Sequence, residues 1–525
     1  MKQLTIAVML FLLSLPLANL TAEEPIEFTG DVQRDLQQVD RIIADGPRSA
    51  DWDDLKINVP QWYLDAKFGI FIHWGAYTVP AFGNEWYPRF MYIDKDQKNY
   101  GRGNYFQHHL KTFGPHKTNG YKDLIPKFKA EKFNAEEWAE LFEASGAKYI
   151  VPVAEHHDGF PMYDCSFTRW NATKMGPKRD VIKELRNAVD RRGMYFGVSS
   201  HRAFNWMFYQ RDESFDTVDP KNFDLYGKPH EAQYTPWENP WPTQSQEFKD
   251  NWLARTCELA EKYQPDLLWF DFGIGPRWIE SPDDNPYKEY LEKFTAYYYN
   301  RAEAWTKDVA INYKWNAMPA DAAVLDVERG KLDDKRERYW QTDTSVMFNS
   351  WSHIARPDYR TINSLVDDII DITAKNGCLL LNIGPKADGT IPQEQKDQLL
   401  GIGKWLKLNG EAIYRTRPWD IYGEGPTSVA DGPHSEKQNK DFSGEDIRFT
   451  TKGEYLYAIA LAWPENGKLV VKSLKNDMGP DEIGSVTLLG HDGELKFSRN
   501  GSALTVNLPS NKPCEHAFAF RIAPK

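Results

Sequence analysis

Short apolar segments alternate with amphipathic helical patterns along most of the chain. Eight of these segments can be recognised, and several change abruptly from hydrophobic to titratable residues at their carboxyl ends. Strands and helices that alternate in this way predict a parallel sheet, and eight such units predict an α/β fold of the (β/α)8 or TIM-barrel type. The predicted strands lie at residues 68–73, 149–154, 194–199, 267–271, 309–313, 324–327, 339–342 and 378–383.

Helix signals occupy most of the connections. Asn134 is expected to cap a helix that ends at Gly146, with Glu137 completing a capping box. Further helices are expected over residues 181–192, 246–263, 288–305, 361–375 and 393–408. The connections between the fifth, sixth and seventh strands are too short for full helices. We therefore expect an irregular barrel in that region.

After about Pro418 the chain changes to short alternating segments separated by Gly and Asn turns. This pattern is typical of an antiparallel β-sandwich. The predicted organisation is a signal peptide over residues 1–22, a catalytic barrel over 23–420 and a β-sandwich over 421–525. Residues 1–22 combine Lys2, an apolar stretch and small residues near Ala22, which predicts export to the periplasm or the medium. Their apolar core is too short to span a membrane, so no membrane insertion is expected.

Charge and composition narrow the class of partner. The net charge of −12 disfavours nucleic acid, which requires a basic surface for counterion release. Aromatic residues make up 14% of the chain, and flat rings suit the C–H faces of sugars. The four cysteines are widely separated and show neither a disulfide framework nor zinc-ligand spacing.

Two carboxylates are candidates for catalysis. Asp271 ends the fourth strand and Glu328 follows the sixth. Acids on separate strands of one barrel can face each other across a sugar, as glycoside hydrolysis requires. Two structural alternatives remain open: Asp271 as a residue that caps the following turn, and Glu328 as part of an ion-pair cluster with Arg329.

Histidines follow the first two strands. His73 ends the first, while His156 and His157 follow the second. Neighbouring residues of a strand point to opposite faces, and no spaced metal motif accompanies this pair. We therefore expect these rings to bind substrate hydroxyls, with no metal and no cofactor.

Five motifs in order resemble those of the α-L-fucosidases of glycoside hydrolase family 29. They span about residues 60–420 and read FGIFIHWG at 68–75, VPAFGNEWY at 79–87, EHHDGF at 155–160, GPKRD at 176–180, and LLLNIGP with DGT at 379–390. The resemblance implies a retaining exo-glycosidase with a barrel and a C-terminal β-sandwich. It also implies fucosylated oligosaccharides, glycoprotein glycans or polysaccharides as substrates.

The resemblance assigns roles to individual positions. Asp271 matches the nucleophile, and Glu328 is the position we match to the acid/base. The matched sugar-binding positions are His73, Glu85, Trp86, His156, His157 and Trp269. An apolar wall for the C5 methyl group of fucose is expected from Phe71 or Trp269.

Two positions depart from the pattern of several family members. His201 follows a Ser-Ser strand end where those members carry Tyr-Tyr-Ser, and becomes an additional candidate for sugar binding. Lys314 replaces an arginine of some members and is a further candidate. For a sulfated substrate, Arg202 or Lys314 could receive the sulfate group.

The leading hypothesis is hydrolysis of terminal α-L-fucose. Two alternatives remain: α-L-galactosidase activity on the same scaffold, because the two sugars differ mainly at C6, and carbohydrate binding without catalysis.

Overall fold

Eight parallel strands form a closed barrel whose strand order follows the chain. The computed structural model describes residues 26–93, 104–230, 244–476, 479 and 482–525, so the predicted signal peptide at 1–22 lies outside the described residues. The barrel strands are β1 (Phe68–Ile72), β2 (Tyr149–Glu155), β3 (Tyr195–Ser200), β4 (Leu267–Phe270), β5 (Ala310–Lys314), β6 (Val324–Glu328), β7 (Trp340–Ser345) and β8 (Gly377–Ile383). The predicted barrel is confirmed, with strand ends displaced by at most a few residues.

Burial explains why these segments form strands. Every residue of β1, β2, β4 and β8 is buried, which is typical of parallel strands covered on both faces. β1 closes the barrel against β8 from Phe68 opposite Leu379 to Ile72 opposite Ile383. Fully burying one such Leu or Ile side chain contributes about 1.5–3 kcal/mol. The barrel is therefore a packed core that holds the strand ends in place.

The six predicted helices are present and begin within one residue of the predicted positions, whereas five further helices were not predicted. Asn134 caps the helix that begins at Ala135, accepting from Glu136 N at 3.1 Å and donating to Glu137 Oε1 at 2.8 Å. The helices are α1 (Val32–Asp45), α2 (Gln61–Ala66), α3 (Tyr87–Phe90), α4 (Tyr105–Thr112), α5 (Ala135–Ala144), α6 (Val181–Asp190), α7 (Phe223–Tyr226), α8 (Gln246–Tyr263), α9 (Lys288–Ala304), α10 (Ile362–Ala374) and α11 (Gln393–Asn409). No helix occupies residues 315–323 or 329–339, all of which are described, so the expected irregularity is confirmed.

Antiparallel sheets make up the C-terminal part. Their strands are β9 (Arg417–Glu424), β10 (Ile447–Lys452), β11 (Tyr455–Ala460), β12 (Lys468–Val471), β13 (Ile483–Leu488), β14 (Phe497–Arg499), β15 (Leu504–Asn507) and β16 (Phe518–Pro524). One sheet has five strands in the order β13-β16-β11-β10-β9, and the other has three in the order β12-β15-β14. The sequence pattern did not indicate β9, and the predicted boundary at 420/421 falls within it.

The segment 425–446, between β9 and β10, returns to the barrel. His434 N donates to Glu328 O at 2.8 Å, and Glu436 pairs with Arg329 at 2.8 Å. Lys331 forms isolated bridges with residues 431 and 432 of the same segment. The C-terminal part therefore contributes to the barrel edge beside Glu328.

In the described part of the chain, no helix is both long and apolar enough to cross a membrane. All four cysteines are free thiols.

Candidate active site

A cavity of about 510 Å³ lies at the carboxyl ends of the barrel strands. This is the end at which TIM-barrel enzymes carry their catalytic groups. All ten predicted site residues line it: Asp271, Glu328, His73, Glu85, Trp86, His156, His157, Trp269, His201 and Lys314. The strand ends thus bring together side chains that are up to 255 positions apart (328 − 73 = 255).

Asp271 is held through one of its two oxygens. Its Oδ2 lies 2.9 Å from His201 Nδ1 and 3.1 Å from His157 Nε2. Among the described residues, no hydrogen bond reaches Oδ1. Burial alone would raise the pKa of Asp271, but His201 and His157 together hold it well below its usual value. An ionised carboxylate with one unengaged oxygen is the form that a nucleophile requires.

Glu328 lies at the end of β6, in a cluster of three carboxyl groups around one ammonium. Lys314 Nζ is 3.2 Å from Glu328 Oε2, 3.4 Å from Asp326 Oδ1 and 3.1 Å from Asp343 Oδ1. Burial lowers the pKa of Lys314, but the three carboxyl groups raise it well above its usual value. Glu328 therefore shares its cation with two other carboxyl groups.

Asp343 is a buried acid of this cluster with a perturbed pKa. Burial, followed by the charge of neighbouring Asp326, raises the pKa of Asp343 well above its usual value. Asp326 in turn accepts from Gln341 Nε2 at 2.5 Å. Asp343 therefore retains its proton at a pH at which an isolated carboxyl group would have lost it.

Asn382 determines which nitrogen of His73 carries the proton. Asn382 Nδ2 donates to Trp351 O at 2.7 Å, so its Oδ1 accepts from His73 N and Nδ1, at 3.0 and 2.7 Å. Burial and the nearby His201 lower the pKa of His73 well below its usual value. A neutral His73 protonated on Nδ1 leaves Nε2 as an acceptor for a sugar hydroxyl.

His156 completes a group of rings around this position. The ligand-type atoms of His73, His156 and His201 lie within 4.8 Å of one another, as do those of His157, His201 and Asp271. By distance alone either trio could hold a metal ion. However, both nitrogens of His201 are engaged, with Asp271 and with Ser199 Oγ at 3.0 Å. A metal would have to displace one of these partners.

Aromatic rings form the apolar part of the wall. Trp86 is parallel to Phe272, with ring centroids 6.0 Å apart, and contacts His157 at 5.3 Å. Trp269 lines the cavity, and its buried Nε1 has no hydrogen-bond partner among the described residues. Phe71, the other ring considered for the apolar wall, packs against Trp269 with ring centroids 4.9 Å apart and is not among the lining residues. Of the two rings, Trp269 is therefore the one at the cavity surface.

Other lining residues had no local signal in the sequence. Trp351 follows β7, and its N donates to Glu85 Oε2 at 3.0 Å. Trp315, Arg277 and His434 come from three separate connections. The mixed segment that follows β7, residues 346–354, carries no motif and gives no reason to select Trp351 over its neighbours.

Comparisons with known proteins identify the family of this chain. The sequence model described as alpha-L-fucosidase matches residues 36–411, and that described as alpha-L-fucosidase C-terminal domain matches 438–523. The chain is 32% identical over 501 residues to the plasma alpha-L-fucosidase of Homo sapiens, covering 90% of this chain and 91% of that protein. It is 31% identical over 499 residues to the tissue alpha-L-fucosidase of Rattus norvegicus, with coverages of 90% and 92%.

Solved structures show the same similarity in three dimensions. The alpha-fucosidase of Thermotoga maritima in complex with fucose superposes with a TM-score of 0.70 at 29% identity, covering 91% of this chain and 100% of that one. The same enzyme with a mechanism-based inhibitor gives a TM-score of 0.71. The protein therefore belongs to the α-L-fucosidase family of glycoside hydrolases.

Proposed function

We propose that this α-L-fucosidase is an exo-acting, retaining enzyme that releases terminal α-L-fucose through a covalent glycosyl-enzyme intermediate. One observation carries the proposal: Asp271, ionised and with Oδ1 unengaged, lines the same cavity as Glu328 from a non-adjacent strand. A carboxylate nucleophile opposite a carboxylic acid is the arrangement of retaining glycosidases, in which the two groups are about 5–5.5 Å apart.

In the first step, Asp271 Oδ1 attacks the anomeric carbon of fucose. The bond from that carbon to the leaving oxygen breaks as Glu328 transfers its proton to this oxygen. The products are a fucosyl ester of Asp271 with inverted configuration, a neutral alcohol and an ionised Glu328. His157 and His201 hold Oδ2, so they orient the carboxylate for attack.

In the second step, ionised Glu328 takes a proton from water, and the water oxygen attacks the anomeric carbon. The ester bond to Asp271 breaks, and the second inversion releases α-L-fucose. Glu328 then carries the proton with which it began. Lys314 lies close to Glu328, and its positive charge stabilises the negative charge that Glu328 carries after it has given up its proton.

The surroundings of Asp271 favour a terminal sugar. His73, His156, His201 and Trp269 are at most 4% exposed, so this end of the cavity is enclosed. Burial lowers the pKa values of His73 and His156, so both rings are neutral and can each form hydrogen bonds with fucose hydroxyls. Glu85, which also lines the cavity, can accept a hydrogen bond from a further hydroxyl. The proposed substrates are therefore fucosylated glycans, met outside the cytoplasm if residues 1–22 direct export.

The test is hydrolysis of 4-nitrophenyl α-L-fucoside by the purified protein, with the α-L-galactoside as the matched competitor. NMR of the first product should show the α-anomer, and a β-anomer would contradict retention. Asp271→Ala should lose about 1,000-fold or more in kcat/KM, equivalent to about 4 kcal/mol. Added azide should restore turnover of this variant and yield β-L-fucosyl azide. Asp492→Ala, at an exposed turn of the C-terminal part, is the control and should behave as wild type.

A further inference from the structure

One flank of the cavity is built from non-glycine residues in left-handed backbone conformation. Trp315 has φ = 59°, Arg329 has φ = 47° and His434 has φ = 59°. Each lines the cavity, and each directly follows or contacts a residue of the Lys314–Glu328 cluster. Non-glycine residues persist in this region only when their surroundings impose it, and such residues concentrate at functional sites. Three of the eleven non-glycine residues of this kind in the described part of the chain thus lie on one flank of the cavity.

The position of this flank indicates which part of the substrate it contacts. In the proposed reaction the leaving sugar departs on the side of Glu328, which protonates it. His434 N is bonded to Glu328 O at 2.8 Å, and Arg329 is the next residue in the chain. Trp315 follows Lys314 at the end of β5. These residues lie where the leaving group has to be accommodated, whereas fucose itself lies beside Asp271.

The two cations first considered for binding an anionic substrate are already paired. Lys314 contacts three carboxyl groups. Arg202 is buried and pairs with Glu155 Oε1 at 3.2 Å, and it does not line the cavity. Both are therefore poorer candidates for sulfate binding than an unpaired cation of the cavity.

Two other arginines, Arg277 and Arg336, remain as candidates for binding an anionic substrate. Both line the cavity, both are exposed, and neither guanidinium makes an ion pair or hydrogen bond with any described residue. The acids of the same lining, by contrast, all have partners: Asp271 with two histidines, Glu85 with Trp351 N, and the Glu328 cluster with Lys314. The exposed acids near Arg336 at positions 333, 334 and 337 do not line the cavity.

The loop that carries Arg277 is connected to the Trp315 segment. Asn316 Nδ2 donates to Ile279 O at 3.0 Å, and the Trp315 ring is parallel to Phe272 at 5.8 Å. Trp315 is half-buried, so part of the indole is available as a platform for a sugar face. A cavity lined by an aromatic platform and by two guanidinium groups without a partner among the described residues is suited to a sugar that carries a sulfate or carboxylate, because the planar guanidinium binds such groups through two parallel hydrogen bonds.

We propose that Trp315, Arg277, Arg336 and His434 form a leaving-group subsite that selects a sugar bearing a sulfate ester or a carboxylate. The inference rests on the proposed function and specifies its substrate class. Selection acts on the sugar next to fucose, so it adds to the recognition of fucose and does not replace it.

The test compares kcat/KM for fucosyl disaccharides that differ only in the leaving sugar: neutral, sulfated, or oxidised to a uronic acid. Wild type should prefer at least one of the anionic substrates over the neutral one by about tenfold. The preference should decrease as ionic strength rises, since exposed charges are screened over about 10 Å at 0.1 M salt. A sulfate-only or carboxylate-only preference supports the proposal and identifies the anion.

The variants are Arg277→Gln, Arg336→Gln and the double variant, and the readout is the ratio of anionic to neutral kcat/KM. The double variant should bring this ratio close to one. Arg338→Gln is the matched control, because Arg338 lies on the same connection but outside the cavity, where it donates to Ala320 O; it should keep the wild-type ratio.

The possible failures are distinguishable. If wild type does not hydrolyse aryl α-L-fucoside, the proposed function fails. If it hydrolyses aryl and neutral substrates without any anionic preference, or if the double variant keeps the preference, the subsite proposal alone is overturned.

Discussion

His157 Nε2 lies 3.1 Å from Asp271 Oδ2, while its other ring nitrogen, Nδ1, lies 2.8 Å from His201 O. A carbonyl oxygen only accepts, so Nδ1 carries a proton. Through Nδ1, His157 is therefore held by the backbone of β3's carboxyl end, and Nε2 is directed at the carboxylate. Together with His201, this contact holds the pKa of Asp271 well below its usual value.

Neutron diffraction at neutral pH can check the protonation state of Asp271. We expect no deuterium on the Asp271 carboxylate, because His201 and His157 hold its pKa well below its usual value, and we expect deuterium on Nδ1 of His157, because His201 O can only accept. A deuterated Asp271 carboxyl group would contradict this and would leave the nucleophile in its unreactive form.

Removing the proton donor should affect substrates unequally. In Glu328→Gln, kcat/KM for a natural fucosyl disaccharide should decrease about 100- to 10,000-fold, the usual contribution of general acid catalysis. An aryl fucoside with an acidic phenol should lose far less in the first step, because its leaving group departs without a proton. Glu337→Gln, an exposed glutamate outside the cavity, is the control. An equal loss on both substrates would remove Glu328 from the acid role.

The acidic limb of the pH profile should respond to His201. Burial raises the pKa of Asp271, but His201 is the largest of the contributions that hold it well below about 4 in wild type. Asp271 therefore favours folding above its unfolded pKa, and this contribution is lost as the pH falls through the lowered folded pKa. In His201→Gln the folded pKa rises, so the acidic limb of kcat/KM should move to higher pH. The exposed variant His491→Gln is the control and should keep the wild-type acidic limb. If the limb of His201→Gln also stays at the wild-type pH, His201 does not control the pKa of the nucleophile.

Lys314→Met should be destabilised in a pH-dependent manner. Losing one partner of a buried ion pair costs about 3–5 kcal/mol, and here three carboxyl groups lose their cation. The folded pKa of Asp343, already raised by burial in wild type, then rises further, so the folded state of the variant binds more protons and its stability decreases relative to wild type as the pH rises. The stability gap to wild type, measured by denaturant unfolding, should be widest near pH 7 and narrow towards pH 4. A stability difference from wild type that does not change with pH would contradict the proposed role of Lys314 in the carboxyl cluster. So would an equal difference in the control Lys440→Met, which replaces an exposed lysine.

Local patterns predicted the barrel and those residues of the cavity lining that follow strand ends, whereas Glu85 and Trp86 were assigned only through the family resemblance. A buried strand that ends in a titratable residue places that residue at the mouth, and this holds for Asp271, Glu328 and His73 alike. Asp158 shows the limit of such reasoning, since it follows the same strand end as His157 but is buried against Tyr121, outside the cavity.

The remaining part of the site depends on long-range contacts. Glu436 meets Arg329 across 107 positions, and this pairing positions His434 at the cavity. No periodicity or motif in residues 425–446 predicts that they fold back onto the barrel. Similarly, nothing in the sequence around Trp315 indicates its left-handed backbone, which only the packing of its neighbours imposes.

Covalent trapping is the most direct test of Asp271 as the nucleophile. The purified protein is incubated with an activated 2-deoxy-2-fluoro fucosyl donor, whose fluorine slows release of the intermediate, and the labelled peptide is sequenced by mass spectrometry. The account predicts one fucosyl group per chain, esterified to Asp271. A label on another residue, or turnover of the donor with no label at any dose, would contradict it.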